Sequence, residues 1–221
     1  METRAMKALM IGATGATGKD LLELLLKDTS FQQVDIFVRR PLKLQHPKLN
    51  IHVIDFDKPE QWHPLVKGDV LFSALGTTLK AAGSKEAQWK IDYEYQYNFA
   101  KAAKENNVNN YVLVSAGFAD PKSSVFYSRM KGELEEAIMS LGFSTITIFH
   151  PPLLVRKDTD RKGEVIGMKL IQFFNKLGLF RAQKPLPTEV LAQAMINAAK
   201  KKESGLTTIK SKEIWKCAQT S

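Results

Sequence analysis

The stretch from Met6 to Lys19 constrains this chain more than any other. Ala8 to Ile11 is an apolar run that predicts a buried strand. Gly12, Gly15 and Gly18 follow, and then Leu21, Leu22, Leu24, Leu25 and Leu26 give a helix an apolar face. A strand, a glycine turn and a helix in that order make a phosphate cradle. Glycine removes Cβ where the chain must turn sharply and where a pyrophosphate must touch backbone. The open N–H groups and the positive dipole end of the helix then face the anion. The spacing is GxxGxxG rather than the commoner GxGxxG. Gly12, Thr14, Gly15, Ala16, Thr17 and Gly18 are the expected cradle residues.

The remainder alternates between strand and helix patterns. Strands are expected at Val34–Val38, Ile51–Ile54, Asp69–Ser73, Tyr111–Ser115 and Ser144–Phe149. Between them lie helical patterns: a short one from Pro59 to Val66, a long one from Glu86 to Asn106, and one from Phe126 to Leu141. This rhythm implies an α/β fold, a doubly wound parallel sheet of Rossmann type. Beyond Pro152 the pattern loosens. It predicts a charged loop (Arg156–Gly163), an amphipathic helix (Val165–Leu177) and a stiff link (Lys184–Pro187). A helix capped by Thr188 follows, running to Lys202, and then short strands at Thr207–Ile209 and Glu213–Trp215. One domain over residues 1–221 is expected, with a core over 1–154 and a small extension over 155–221 that lids the substrate side.

In such sheets ligands bind where strands end. After the second strand stand Arg39 and Arg40, where an NAD-preferring fold usually carries an acid for the ribose hydroxyl. Two guanidiniums suit a 2′-phosphate instead, which points to NADP(H). Asp35, inside the strand, is not a replacement for that acid. After the third strand, Asp55 and Phe56 hold and stack on the adenine or, equally, cap a helix and fill the core. After the fourth, Leu75, Gly76 and Thr77 pass close to the cofactor, and the segment Leu79–Ser84 is a mobile flap over the nicotinamide. After the sixth, the backbone of Pro151 meets the carboxamide, and His150 is a proton relay or, as the favoured reading, a structural histidine packed beside the prolines.

The fifth strand ends in Ser115, and Tyr127 and Lys131 lie at i and i+4 on the next helix, on one face. A phenol is a poor acid–base near neutrality, and an ammonium close by lowers its pKa. Tyr127 is therefore expected as acid–base, Lys131 as its tuner, and Ser115 as the group that holds a substrate carbonyl. Glu133, Glu135 and Glu136 are expected on a solvated face. Trp62, Trp89, Tyr93, Tyr95 and Tyr97 are packing residues or a pocket wall.

The net charge is +9, with 14 basic against 6 acidic side chains after residue 150 and near balance before it. Dispersed as they are, these charges read as a solvated basic face; nucleic acid is not an expected partner, and a protein partner remains open. The four histidines and the single Cys217 have no ligand spacing, so no metal is expected. No apolar run reaches membrane-span length, and no signal-type apolar segment stands near Met1. With one cysteine, the setting expected is cytoplasmic and reducing, as monomer or homodimer.

The run from Gly12 to Gly18, Ser115, and the Tyr127-Ser-Arg-Met-Lys131-Gly-Glu133 segment together resemble the short-chain dehydrogenase/reductase superfamily in its atypical branch. The resemblance covers most of the chain and is weakest after Leu154. It implies a Rossmann fold, an NADPH site that includes Tyr127 and Lys131, and Tyr127 as proton donor or acceptor. Members tend to carry Arg-Pro-Gly where this chain has His150-Pro151-Pro152. The expected activity is NADPH-dependent reduction of a carbonyl-like small molecule of unknown identity; the alternative is an NADP(H)-binding sensor that acts on a protein partner without turnover.

Overall fold

The computed structural model describes residues 5–155, 185–201 and 203–220. The expected loop at Arg156–Gly163, the helix at Val165–Leu177 and Lys184 of the stiff link lie outside these residues.

The first half of the sheet is built from β1 (Met6–Ile11), β2 (Phe31–Val38), β3 (Leu49–Val53) and β4 (Val70–Ser73), with α1 (Ala16–Lys27) and the short α2 (Pro59–Trp62) between them. A one-turn helix α3 (Leu79–Ala82) leads into α4 (Lys85–Trp89), a π-helical turn (Lys90–Glu94) and α5 (Tyr95–Glu105). Then come β5 (Asn110–Val114), α6 (Phe126–Met139), β6 (Thr145–His150), β7 (Leu154–Val155) and β8 (Leu186–Pro187). The chain ends with α7 (Thr188–Lys200), β9 (Gly205–Lys210) and α8 (Ser211–Gln219).

Seven strands form one parallel sheet in the order β3-β2-β1-β4-β5-β6-β9, and β7 and β8 make a separate parallel pair. The order reverses direction between β1 and β4, so a crevice opens at the carboxyl ends of these two strands. The alternation of side chains sorts the two faces. Ala8 and Met10 of β1 join α1, α7 and α8 in one core, while Leu9 and Ile11 join α2, α5 and α6 in the other. Strands covered on both faces read as continuous apolar runs, which is why periodicity located them.

The last third of the chain completes this body. Leu191, Met195 and Ala198 of α7 pack with Leu21 and Leu25 of α1, and β9 adds the seventh strand alongside β6. The segment expected as a strand at Glu213–Trp215 is instead part of α8. Ser211 takes a positive φ of 33° to turn out of β9, and Glu213 accepts the Lys210 N–H at 3.0 Å. Ile214 and Cys217, three apart, then face inward. Thr188 does not cap α7; it is the first helical residue, buried, after Pro187. The flap expected at Leu79–Ser84 is a helical turn tied down by Thr78, whose hydroxyl accepts the Ala81 N–H at 3.2 Å.

One buried charge ties the first three strands together. Asp35 receives hydrogen bonds from Gln33 and Asn50, each at 2.8 Å, and pairs with Lys7 at 2.8 Å and His52 at 3.1 Å. Burial alone would raise its carboxyl; the bonds from Lys7, Gln33, Asn50 and His52 outweigh that and hold it below the ordinary range. A depressed carboxyl favours the fold above its unfolded pKa, and that contribution disappears as pH falls through the folded value. Unfolding by denaturant between pH 5 and pH 2 should therefore show a loss of stability that Asp35→Asn removes in part; an unchanged acid limb would dissociate Asp35 from acid lability.

Candidate functional site

The turn after β1 is shaped by backbone meeting backbone. Gly12 has φ +85°, and a Cβ there would lie 2.3 Å from the carbonyl carbon of Ala74 at the end of β4. A Cβ on Gly18 would lie 2.0 Å from the Gly12 oxygen. Both positions exclude a side chain, and Gly15 donates its N–H to the Gly12 oxygen at 2.9 Å. Gly15 is also the residue before α1, where no side chain caps the helix and no acid stands in the first turn. The N–H groups of Ala16 and Thr17 are thus left for an anion. Thr14 is exposed at the rim and Thr17 is buried.

Arg39 and Arg40 follow β2, exposed, and neither forms an ion pair among the described residues. Asp35 is occupied within the sheet and offers nothing to a ribose. After β3, Asp55 is exposed and accepts the Asp57 N–H at 3.0 Å. Phe56 turns to the core, 5% exposed, stacked on Tyr95 at 5.1 Å and against Trp62 and Phe99. Of the two readings of Phe56, the core one holds, because three rings already cover it. The rim there carries Asp57, which pairs with Lys90 at 2.7 Å and accepts from the Tyr95 hydroxyl at 3.1 Å.

After β4, Leu75 is half-buried, Gly76 is exposed and Thr77 is anchored from below. Its N–H donates to Asp92 Oδ1 at 2.7 Å, and its carbonyl accepts from Gln88 at 3.2 Å. Asp92 lies in the π turn, fully buried, and its Oδ2 has no hydrogen-bond partner among the described residues. Gln88, Asp92 and Gln96 form a buried polar stripe, and Gln96 accepts the Ser73 hydroxyl at 2.6 Å. Sequence reading missed this stripe; its signal was three polar residues spaced four apart among aromatics. Burial pushes the Asp92 carboxyl up, opposed by the Lys131 charge and by its bonds from Thr77 and Gln88.

Tyr127, Lys131 and Glu135 share one face of α6 at i, i+4 and i+8. Gly132 beside them lets the helix close on the preceding loop, since a Cβ there would lie 2.2 Å from the Pro121 nitrogen. Lys131 is 2% exposed; burial lowers its pKa, and the charges of Asp92 and Glu135 oppose that fall. Tyr127 is partly exposed beside Phe118. Its phenol is raised, not lowered, first by desolvation and then by the charge of Asp92. The direction is opposite to the acidification expected from Lys131, and desolvation is its larger cause.

Glu135 also departs from expectation. It is not solvated: its side chain is 14% exposed and accepts from the Ser115 hydroxyl and from His150 Nε2, the latter at 2.8 Å. Glu136 is exposed and Glu133 half-buried, with Glu133 3.6 Å from Arg129. Ser115 continues the sheet ladder through its N–H to the Phe149 carbonyl at 2.9 Å. His150 is bound to a carboxylate and is more than packing beside Pro151 and Pro152. Pro151 is buried, and its carbonyl oxygen is where a Cβ on Gly117 would come within 2.9 Å. Among the described residues there is no cluster of three metal-binding side chains and no helix long and apolar enough to cross a membrane.

Residues 12–169 match a family described as NAD(P)H-binding. The chain is 33% identical over 201 residues to the mitochondrial protein FMP52-1 of Scheffersomyces stipitis, covering 88% of each. It is 32% identical over 194 residues to protein HTATIP2 of Rattus norvegicus, covering 85% of this chain and 78% of that one. Its fold resembles that of the Bordetella bronchiseptica enzyme WbmH, solved with NAD+, with a TM-score of 0.70, 15% identity, and coverage of 92% of this chain and 75% of that one. The cytoplasmic setting expected from composition is overturned by these relatives: FMP52 proteins of several fungi carry a mitochondrial designation. Cysteine count distinguishes oxidising from reducing compartments and does not separate cytosol from mitochondrion.

The raised phenol gives a spectroscopic expectation for the free protein. The difference in tyrosinate absorbance between wild type and Tyr127→Phe should emerge only above the ordinary phenol range near pH 10. Ionisation of Tyr127 below pH 9 would mean that Lys131, and not Asp92 with burial, governs it.

Proposed function

Because the chain belongs to the NAD(P)H-binding family, alongside FMP52 and HTATIP2, we propose that it is an NADP(H)-dependent oxidoreductase acting on a carbonyl-like substrate. The observation that carries the reading is the junction of two features at the carboxyl edge of the sheet: an uncapped α1 behind a turn that excludes side chains at Gly12 and Gly18, and the Tyr127–Lys131 pair on α6. The residues present fit such a cofactor. Gly12, Thr14, Gly15, Ala16, Thr17 and Gly18 would hold the diphosphate. Arg39 and Arg40, exposed and without an acid partner among the described residues, would grip a ribose phosphate. Leu75, Gly76 and Thr77, fixed by Asp92, would border the ribose, Asp55 the adenine, and Pro151 the nicotinamide end. Phe56 would contribute only through the shape of the core beneath. The bound cofactor supplies the hydride.

The chain's own residues would manage the proton and the orientation. Tyr127, kept as a phenol by burial and Asp92, stands as a donor to an oxygen that gains negative charge, which suits the reductive direction. Lys131, buried and under the charges of two carboxylates, would bind ribose hydroxyls and stabilise the phenolate left behind. Ser115 would fix the substrate oxygen. A second reading, an NADP(H)-binding regulator without turnover, is favoured by one observation: the Ser115 hydroxyl is already given to Glu135. Loss of nicotinamide absorbance with NADPH and a panel of aldehydes and ketones separates the two.

Calorimetry should show NADPH binding more tightly than NADH. Replacing Arg39 and Arg40 by Ala should cost NADPH roughly 10–100-fold in affinity and leave NADH within a few-fold. Equal affinity for the two coenzymes in wild type would remove the phosphate-clamp role. Tyr127→Phe should retain NADPH binding within a few-fold while turnover drops by roughly 10²–10⁴; unchanged turnover would take Tyr127 out of the proton step.

A further inference from the structure

We propose that Glu135, clamped by His150, is a positioning residue that turns the Ser115 hydroxyl inward, so that Ser115 faces the substrate as a hydrogen-bond acceptor. The inference rests on the oxidoreductase reading only in placing Ser115 against the substrate. Three elements build the arrangement: Ser115 directly follows β5, Glu135 lies on α6, and His150 ends β6. All three side chains are enclosed, with Ser115 6% and His150 8% exposed. One carboxylate oxygen, Oε1, takes both contacts.

The donor and acceptor inventory then fixes the directions. An ionised carboxylate only accepts. His150 must therefore carry its proton on Nε2, and Ser115 must spend its one hydrogen on Glu135. What remains on Ser115 Oγ is lone pairs. A bare carbonyl oxygen, which also only accepts, gains nothing from them. An oxygen that bears a hydrogen, in a hydroxyl, an enol or a hydrate, does. The site in this state complements a hydroxyl-bearing compound, with Tyr127 as the donor to that oxygen or its neighbour.

His150 makes the orientation persist. Without a second contact Glu135 would be free to rotate toward solvent, and Ser115 could turn its hydrogen outward. The charged groups facing this trio from the packed elements are Lys131 on α6, whose ammonium is coupled to Glu135, and beyond it Asp92. In the chain itself His150 is followed by two prolines, which fix the backbone on its far side.

Two measurements test the proposal. At pH 8 the two-bond proton–nitrogen spectrum of the imidazoles should place the His150 proton on Nε2, the resonance being assigned by its loss in His150→Asn. That state should survive Ser115→Ala and be lost in Glu135→Ala; a proton on Nδ1 in wild type overturns the clamp. With NADPH and the carbonyl panel, Glu135→Ala removes the shared acceptor and frees the Ser115 hydrogen. KM for carbonyls should then fall about tenfold, the worth of one hydrogen bond, with kcat within a few-fold. An unchanged or raised KM in Glu135→Ala overturns the proposal. If no carbonyl is consumed, the oxidoreductase reading falls by itself and the imidazole spectrum still decides the orientation of the trio.

Discussion

The contact on which the rest depends is the one between two stretches of backbone, Gly12 against Ala74. It brings the ends of β1 and β4 so close that no side chain fits between them. These two strands are also where the sheet order changes direction. The crevice, the uncapped helix and the loop through Thr77 all hang from this junction. Any Cβ at Gly12 would both collide with Ala74 and demand a left-handed backbone that other residues resist. Separating the two strand ends would move the dipole of α1 away from the loop that borders the same ligand.

A second constraint is electrostatic and runs along α6. Tyr127, Lys131 and Glu135 form a stripe, and the buried Lys131 feels the charges of two carboxylates, Asp92 and Glu135. Each acid has a further duty: Asp92 holds the Thr77 amide, and Glu135 holds Ser115 and His150. A single buried ammonium thereby links the loop after β4 to the end of β5. The two acid charges oppose the fall that burial imposes on the lysine.

Much of the scaffold was legible in the sequence. β1, β4, β5 and β6 are apolar on both faces, so four or five residues sufficed to locate them. The glycine turn declared itself because steric exclusion at Gly12 and Gly18 leaves one residue type. Glu213–Trp215 was misread because isoleucine and tryptophan suit a strand, whereas its helix is set by the turn at Ser211 and by burial of Ile214 and Cys217. Glu135 was grouped with Glu133 and Glu136 as solvated, although four residues from Lys131 places it on the inner face. Asp92 was the hardest. It is buried under the loop through Thr77, with Gln88 bonded to the same loop and Gln96 to Ser73, and no local propensity announces those partners. Phe56 shows the converse: a residue type suited to a ligand was claimed by neighbouring rings.

The position of β9 matters for how such a chain comes into being. Its partner β6 ends at His150, and the strand that covers that edge begins only at Gly205, after α7. While synthesis proceeds from the amino end, the His150 strand waits with its ladder groups unpaired. An uncovered parallel edge invites foreign strands. The β6 edge is thus open to misassembly until Gly205–Lys210 has been made and paired with it.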